Sequence, residues 1–180
     1  MKPLLPLLCL TALVITLCSC PYDSPYNLTE VPLQTIDENL LGKWATMVAK
    51  PGNDKQHKEE PVKVIFEKRT AMEYDVSITG YIDELKPWNV ISNDSIKGTA
   101  YLSAVAGKQF INMFVKGRVY IAEIIKDSTL LSIMPLVEHF TSKHIQNSSE
   151  LREAVEYHYK VRLKPGYDPA FALRNLQRVN

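Results

Sequence analysis

Four strand patterns follow one another between residues 96 and 134 with almost no chain between them. They cover 96–105, 109–115, 118–125 and 129–134. The breaks are Ala106-Gly107-Lys108, Lys116-Gly117 and Lys126-Asp127-Ser128. A parallel crossover needs roughly a dozen residues, so breaks this short join only antiparallel neighbours. The segment is therefore a meander. Phe110-Ile111-Asn112-Met113-Phe114-Val115 and Val119-Tyr120-Ile121-Ala122 are apolar on both faces. Such strands require cover on both sides, and a helix is the expected cover on one of them.

The meander extends upstream. Residues 42–48 and 62–66 read as strands, and so do 72–79, where Met72, Tyr74, Val76 and Ile78 alternate with Glu73, Asp75, Ser77 and Thr79. Strict period two marks a strand with one apolar face. That makes seven strands between 42 and 135. Asp37-Glu38-Asn39-Leu40-Leu41 reads as a short turn whose leucines plug a core. Two long loops interrupt the strands. One runs from Lys50 to Glu60; the other, 80–95, holds Gly80, Pro87 and Asn93-Asp94-Ser95. Trp88 in the second loop is either a core plug or a binding contact.

The covering helix is expected over 148–161. Asn147-Ser148-Ser149-Glu150 is a capping-box-like start. Leu151, Ala154, Val155 and His158 then share one face at helical spacing. Asp168-Pro169 reads as a cap with a first-turn proline, which predicts a last short helix over 169–178. His144-Ile145-Gln146 is open to one more short strand. The fold class is mainly β, an antiparallel meander with a C-terminal helix.

The N-terminus carries a different kind of signal. Met1-Lys2 supplies one positive charge, and residues 4–17 then run LLPLLCLTALVITL. That is a short basic region and an apolar region of secretory length, shorter than the about 20 residues a membrane-spanning helix needs. Leu17, Cys18 and Ser19 precede Cys20. This stretch resembles the lipobox of bacterial lipoproteins. The resemblance implies cleavage before Cys20, diacylation of its thiol and acylation of the new amino group. Residues 1–19 are then a signal peptide, and the location is the bacterial cell envelope, lipid-anchored on the periplasmic or surface side of the outer membrane. An ordinary secretory signal that happens to contain cysteines is the alternative. All three cysteines, Cys9, Cys18 and Cys20, lie in this region. An internal disulfide in the mature chain is therefore excluded, and an exported domain must rely on its own core. Residues 20–36, with Pro21, Pro25 and Pro32, read as an extended lipidated tether. Residues 37–180 read as a single β-rich domain.

Gly42-Lys43-Trp44 opens the first strand. It resembles the G-x-W element of lipocalins and lipocalin-like bacterial lipoproteins, and the order of turn, strands, long first loop and late helix is similar. The resemblance implies a barrel of seven or eight strands that holds one small ligand. Neither the second nor the third lipocalin motif is placed, and no arginine is assigned as the partner of Trp44. A generic antiparallel sheet with a helix on one face remains the alternative.

Catalytic signatures are absent. His57, His139, His144 and His158 form neither H-x-x-x-H nor H-E-x-x-H, so no metal site is expected. No G-x-S-x-G, phosphate loop or G-x-G-x-x-G occurs, and no cofactor is implied. Asp83-Glu84 and Asp94 read as solvated loop carboxylates. Lys+Arg is 21 and Asp+Glu 20, a balance that does not favour nucleic acid. Tyr74, Tyr101 and Tyr120, with Trp88, are the candidates to line a cup. The sequence therefore points to a non-enzymatic lipoprotein attached to the membrane through Cys20. Its barrel would bind a small apolar or amphipathic molecule. The alternative is an envelope protein–protein interaction module without a small ligand.

Overall fold

A computed structural model describes residues 22–49, 59–80, 95–161, 165–169 and 171–179. Seven consecutive strands form the meander: β2 (Gly42–Ala49), β3 (Glu59–Lys68), β4 (Tyr74–Gly80), β5 (Ser95–Val105), β6 (Lys108–Val115), β7 (Arg118–Asp127) and β8 (Leu130–Pro135). Each pairs antiparallel with the next. The helix α1 spans Ser148–Lys160, and a further strand, β9 (Leu173–Val179), follows it. β9 pairs with both β2 and β8, and this closes an eight-stranded antiparallel barrel of lipocalin-like form.

The last strand corrects the helix expected over 169–178. Asn175 has φ +53°, and the β8–β9 register shifts between Leu131 and Ile133. The irregularity places Leu173 and Leu176 on the same interior core although they are three residues apart. An extra residue in a strand shifts its facing in this way. The result imitates the i,i+3 spacing of a helix.

Strand directions define two ends. One end holds the starts of β2, β4, β6 and β8, and the ends of β3, β5, β7 and β9. It is sealed by a single 3-10 turn, Glu38–Leu40, capped by the Asp37 carboxylate, which accepts the Asn39 N–H at 2.9 Å. Leu40 is buried beneath it, as expected for a plug. The β5–β6 turn at this end is Ala106-Gly107, both at positive φ, and the β6–β7 turn at the other end is Lys116-Gly117, likewise. Two central residues at positive φ are what tight hairpins of right-handed twist require. The β2–β3 and β4–β5 connections also leave from that other end.

Inside the barrel, Trp44, Val64, Phe66, Tyr74, Val76, Leu102, Ile111, Leu131 and Leu176 form one continuous apolar core. Gly98 sits mid-strand in β5 because a Cβ there would lie 2.1 Å from the Phe114 carbonyl oxygen. A second apolar cluster lies outside the barrel. There Leu151, Ala154 and Val155 of α1 pack with Val105, Phe110, Val119 and Ile121. The doubly apolar strands thus receive the helical cover expected of them. The cap also forms as expected: Asn147 Oδ1 accepts the Glu150 N–H at 2.9 Å, and Glu150 Oε2 accepts the Gln146 N–H at 2.9 Å. Residues 144–146 form no strand; they lead into this cap.

The segment read as an extended tether belongs to the folded body from Tyr22 onward. Asp23–Ser24, β1, pairs with β7 at Tyr120 and Val119. It occupies the β7 edge beyond the point where β8 ends at Pro135. Leu28 is 1% exposed in the outer cluster, with Tyr22 and Tyr26 packed beside it. These apolar side chains are interleaved with prolines, which hide any period.

Candidate functional site

Trp44 anchors the sealed end of the barrel. The indole is 2% exposed, and its Nε1–H donates to the Leu40 carbonyl at 2.8 Å. The Arg178 guanidinium stands 5.9 Å from the ring centroid and donates to the Leu41 carbonyl at 2.8 Å. Such a cation over an aromatic face is attracted by the ring quadrupole. Arg178 is the partner for Trp44 that the sequence left unassigned. It comes from β9, the strand that stands in place of the expected last helix. Gly42, at φ +115°, has its absent Cβ 3.4 Å from the Arg178 guanidinium. A side chain at position 42 would crowd that cation and strain the backbone.

Tyr74 lies in the same end, fully buried and edge-on to Phe66, with ring centroids 5.8 Å apart. Its hydroxyl accepts the Asp37 N–H at 2.6 Å and donates to the Asp37 carbonyl at 3.2 Å. Burial pushes its pKa up to about 12. Tyr74 therefore ties the 3-10 turn to β4. Tyr120 faces the interior at the opposite end, in a small cluster with Ile78, Ile96, Met113 and Val115. Its pKa is also raised, first by burial and then by the nearby Asp23 carboxylate. Tyr101 faces outward: its hydroxyl donates to the Thr29 carbonyl. The three tyrosines thus occupy three places and line no common cup. Trp88 lies outside the described residues, as do Cys20, the rest of the leader, His57, Asp83-Glu84 and Asp94.

Two buried polar clusters sit on the outer face. Asn112, fully buried on β6, accepts the Leu28 N–H at 2.8 Å and donates to Ser103 Oγ at 2.8 Å. Thr29 Oγ1 shares a 2.9 Å hydrogen bond with the same Ser103 oxygen. This network holds residues 28–29 against the barrel. Under α1, Glu123 Oε2 accepts from the Tyr159 hydroxyl at 2.6 Å and also from the Tyr167 hydroxyl. Burial first, and then the Glu123 carboxylate, raise both tyrosine pKa values well above the usual range. The pair fastens the helix and the chain after it to β7. Asn112 and Glu123 each stand inside an otherwise apolar run, and that isolation is the signal that marks them in the sequence. His158 Nε2 lies 2.6 Å from the Phe140 carbonyl oxygen, so it joins α1 to the preceding loop.

A half-open recess of about 300 Å3 lies at the sealed end between the 3-10 turn and the β5–β7 hairpins. Asp37, Leu40, Gly107, Lys108, Gln109 and Lys126 are among its walls. Among the described residues no group of three or more His, Cys, Asp or Glu side chains is arranged to hold a metal ion. No helix among them is long and apolar enough to cross a membrane. Compared with known proteins, the chain matches no protein-family model, no curated protein and no solved structure.

Proposed function

We propose that this chain is a membrane-anchored bacterial envelope lipoprotein, acylated at Cys20, whose barrel binds a small apolar or amphipathic molecule without catalysis. The observation that carries the binding reading is the asymmetry of the closed barrel. One end is sealed by Trp44, Arg178, Leu40 and Tyr74. At the other end the interior is lined by Ile78, Ile96, Met113, Val115 and Tyr120, of which Ile78, Met113 and Tyr120 are only partly buried. Ligand pockets are concave and mostly apolar, with few polar groups, and β-barrel mouths are a frequent place for them. The anchor reading rests on Leu17-Cys18-Ser19-Cys20 behind an apolar leader.

Two experiments test the two halves. Cys20→Ser should abolish incorporation of labelled fatty acid and release the protein from membranes, since stable anchoring takes two acyl chains. Unchanged membrane retention refutes the anchor. Organic extraction of the natively purified protein, followed by mass spectrometry, should recover a near-stoichiometric apolar compound.

The interaction-module reading has its own observation. In the sealed half, Val64, Phe66, Tyr74, Leu131 and Leu176 are all at most 1% exposed, so side chains fill that space. Extraction that yields no compound, with capture of one defined envelope protein, favours this second reading.

A further inference from the structure

The rim at the Trp44 end of the barrel has a notch. The β6–β7 pairing begins at Gln109 opposite Ile124, while β7 runs on to pair with β8 as far as Asp127 opposite Leu130. β6 therefore stops short of its neighbour, and the recess of about 300 Å3 opens there beside the 3-10 turn. The buried Leu40, Leu102 and Ile124 close its inner side. Gln109 and Lys126 stand above them. Gln109 lies opposite Ile124, and Lys126 comes two residues later on the same face of β7. Diagonal neighbours on one face of a sheet reach each other when their side chains are long. The Lys126 side chain is 28% exposed, so it lies along the recess rather than out in solvent. Lys108 adds a second cation to the wall.

Donors and acceptors around this recess are unequally engaged. Asp37 Oδ1 accepts the Asn39 N–H at 2.9 Å and Asn39 Nδ2 at 3.0 Å. Glu123 Oε2 accepts the Tyr159 and Tyr167 hydroxyls. The Lys126 Nζ, by contrast, lies 3.7 Å from Asp37 Oδ2, beyond the ~2.7–2.9 Å of a charge-assisted hydrogen bond. An ammonium carries only donors, so the group that completes the recess is an oxygen acceptor. We propose that the notch binds a small organic carboxylate, held by the Lys126 ammonium and the Gln109 amide, with Lys108 adding to the positive field. The volume sets its size. At ~30 Å3 per water molecule the recess equals about ten waters, which corresponds to an acid of about ten non-hydrogen atoms. Ile125, 41% exposed at the same wall, offers the apolar contact. The site is separate from the opposite mouth of the barrel and needs neither the acyl anchor nor the apolar ligand proposed above.

The probe is 4-fluorobenzoate, an acid of about this size, titrated into the full-length chain and followed by fluorine NMR. Saturable binding at one probe per chain is expected. Lys126→Met should weaken it at least about fivefold. Lys126→Arg keeps a cation with N–H donors and should stay within about twofold of the parent. Asp37→Asn removes the carboxylate that opposes the bound acid, and binding should tighten at least about twofold. Asn still caps the turn, so this variant remains readable where Lys126→Met disturbs the rim. Lys97, exposed on β5 near the opposite end, supplies the control: Lys97→Met should leave binding unchanged. The site is overturned by the absence of saturable binding, by an affinity that Lys126→Met leaves unchanged, or by one that Lys97→Met lowers as much as Lys126→Met does. Unchanged or weaker binding in Asp37→Asn overturns it as well.

Discussion

Trp44→Ala is the substitution that most directly tests how the barrel is sealed. The indole is 2% exposed, so nearly its whole surface is withdrawn from water. An aromatic side chain buries about 150–250 Å2. At about 25 cal/mol per Å2 that corresponds to ~4–6 kcal/mol as an upper bound. Trp→Ala changes in cores typically cost ~3–5 kcal/mol. The Leu40 carbonyl loses its donor, and Arg178 loses the ring it covers while keeping its bond to Leu41. A loss of about 4 kcal/mol is a large part of the ~5–15 kcal/mol that holds a domain folded. For a domain of this size each kcal/mol shifts Tm by about 2–4 °C, so Tm should fall by roughly 8–16 °C. Trp44→Phe keeps most of the volume but removes the Nε1 donor, and should cost less. The assay is a thermal melt by circular dichroism of residues 21–180. A Trp44→Ala shift under about 2 °C would show that the indole does not close the core.

Asn112→Leu leaves the Leu28 N–H without its acceptor, an orphaned group worth ~1–3 kcal/mol. A lower urea midpoint and faster proteolysis near residue 28 should follow, and an unchanged cleavage rate would count against the docking of that segment. Gly98→Ala should destabilise strongly, because the new Cβ meets backbone at 2.1 Å rather than a movable side chain; a melt within about 1 °C of the parent would contradict this. Alkaline pH should also destabilise. Unfolded tyrosines ionise near ~10, whereas Tyr74 is held at about 12 and Tyr159 and Tyr167 are raised as well. Between these values the unfolded chain binds fewer protons, so stability falls as pH rises. Urea midpoints should drop between about pH 9 and 12, and a flat profile would contradict the buried placements.

The meander was legible because period two and tight turns are local signals. All seven strand patterns between 42 and 135 appear as strands close to their expected bounds, and Asn147 with Glu150 marks the start of α1. The closed barrel was legible only through the resemblance at Gly42-Lys43-Trp44; the strand that closes it was not. β9 carries Leu173 and Leu176 at helical spacing because of the irregularity at Asn175, and Asp168-Pro169 imitates a helix start. Losing that strand also hid Arg178, whose role depends on a contact with Trp44 across most of the chain. The packing of residues 22–29 on the barrel is hidden in the sequence for a related reason. Their partners, Asn112, Ser103 and β7, lie far along the sequence, and prolines mask the apolar positions. Tyr74 and Tyr101 shared the alternating look of cup residues. Which face of the sheet each occupied was set by register, and the backbone groups their hydroxyls reach lie in the N-terminal segment.

The central claim, that the end of the barrel opposite Trp44 admits a small apolar molecule, is tested most directly by titration with one lipophilic fluorescent probe. Residues 21–180 are compared with their Ile78→Gln variant. Ile78 is a partly buried interior residue at that end, so the variant places an amide on the proposed path while the sealed end stays intact. Saturable binding at one probe per chain with blue-shifted emission is expected, weakened at least tenfold by Ile78→Gln. Linear, non-saturating fluorescence in the parent, or saturable binding that the variant leaves unchanged, would contradict it.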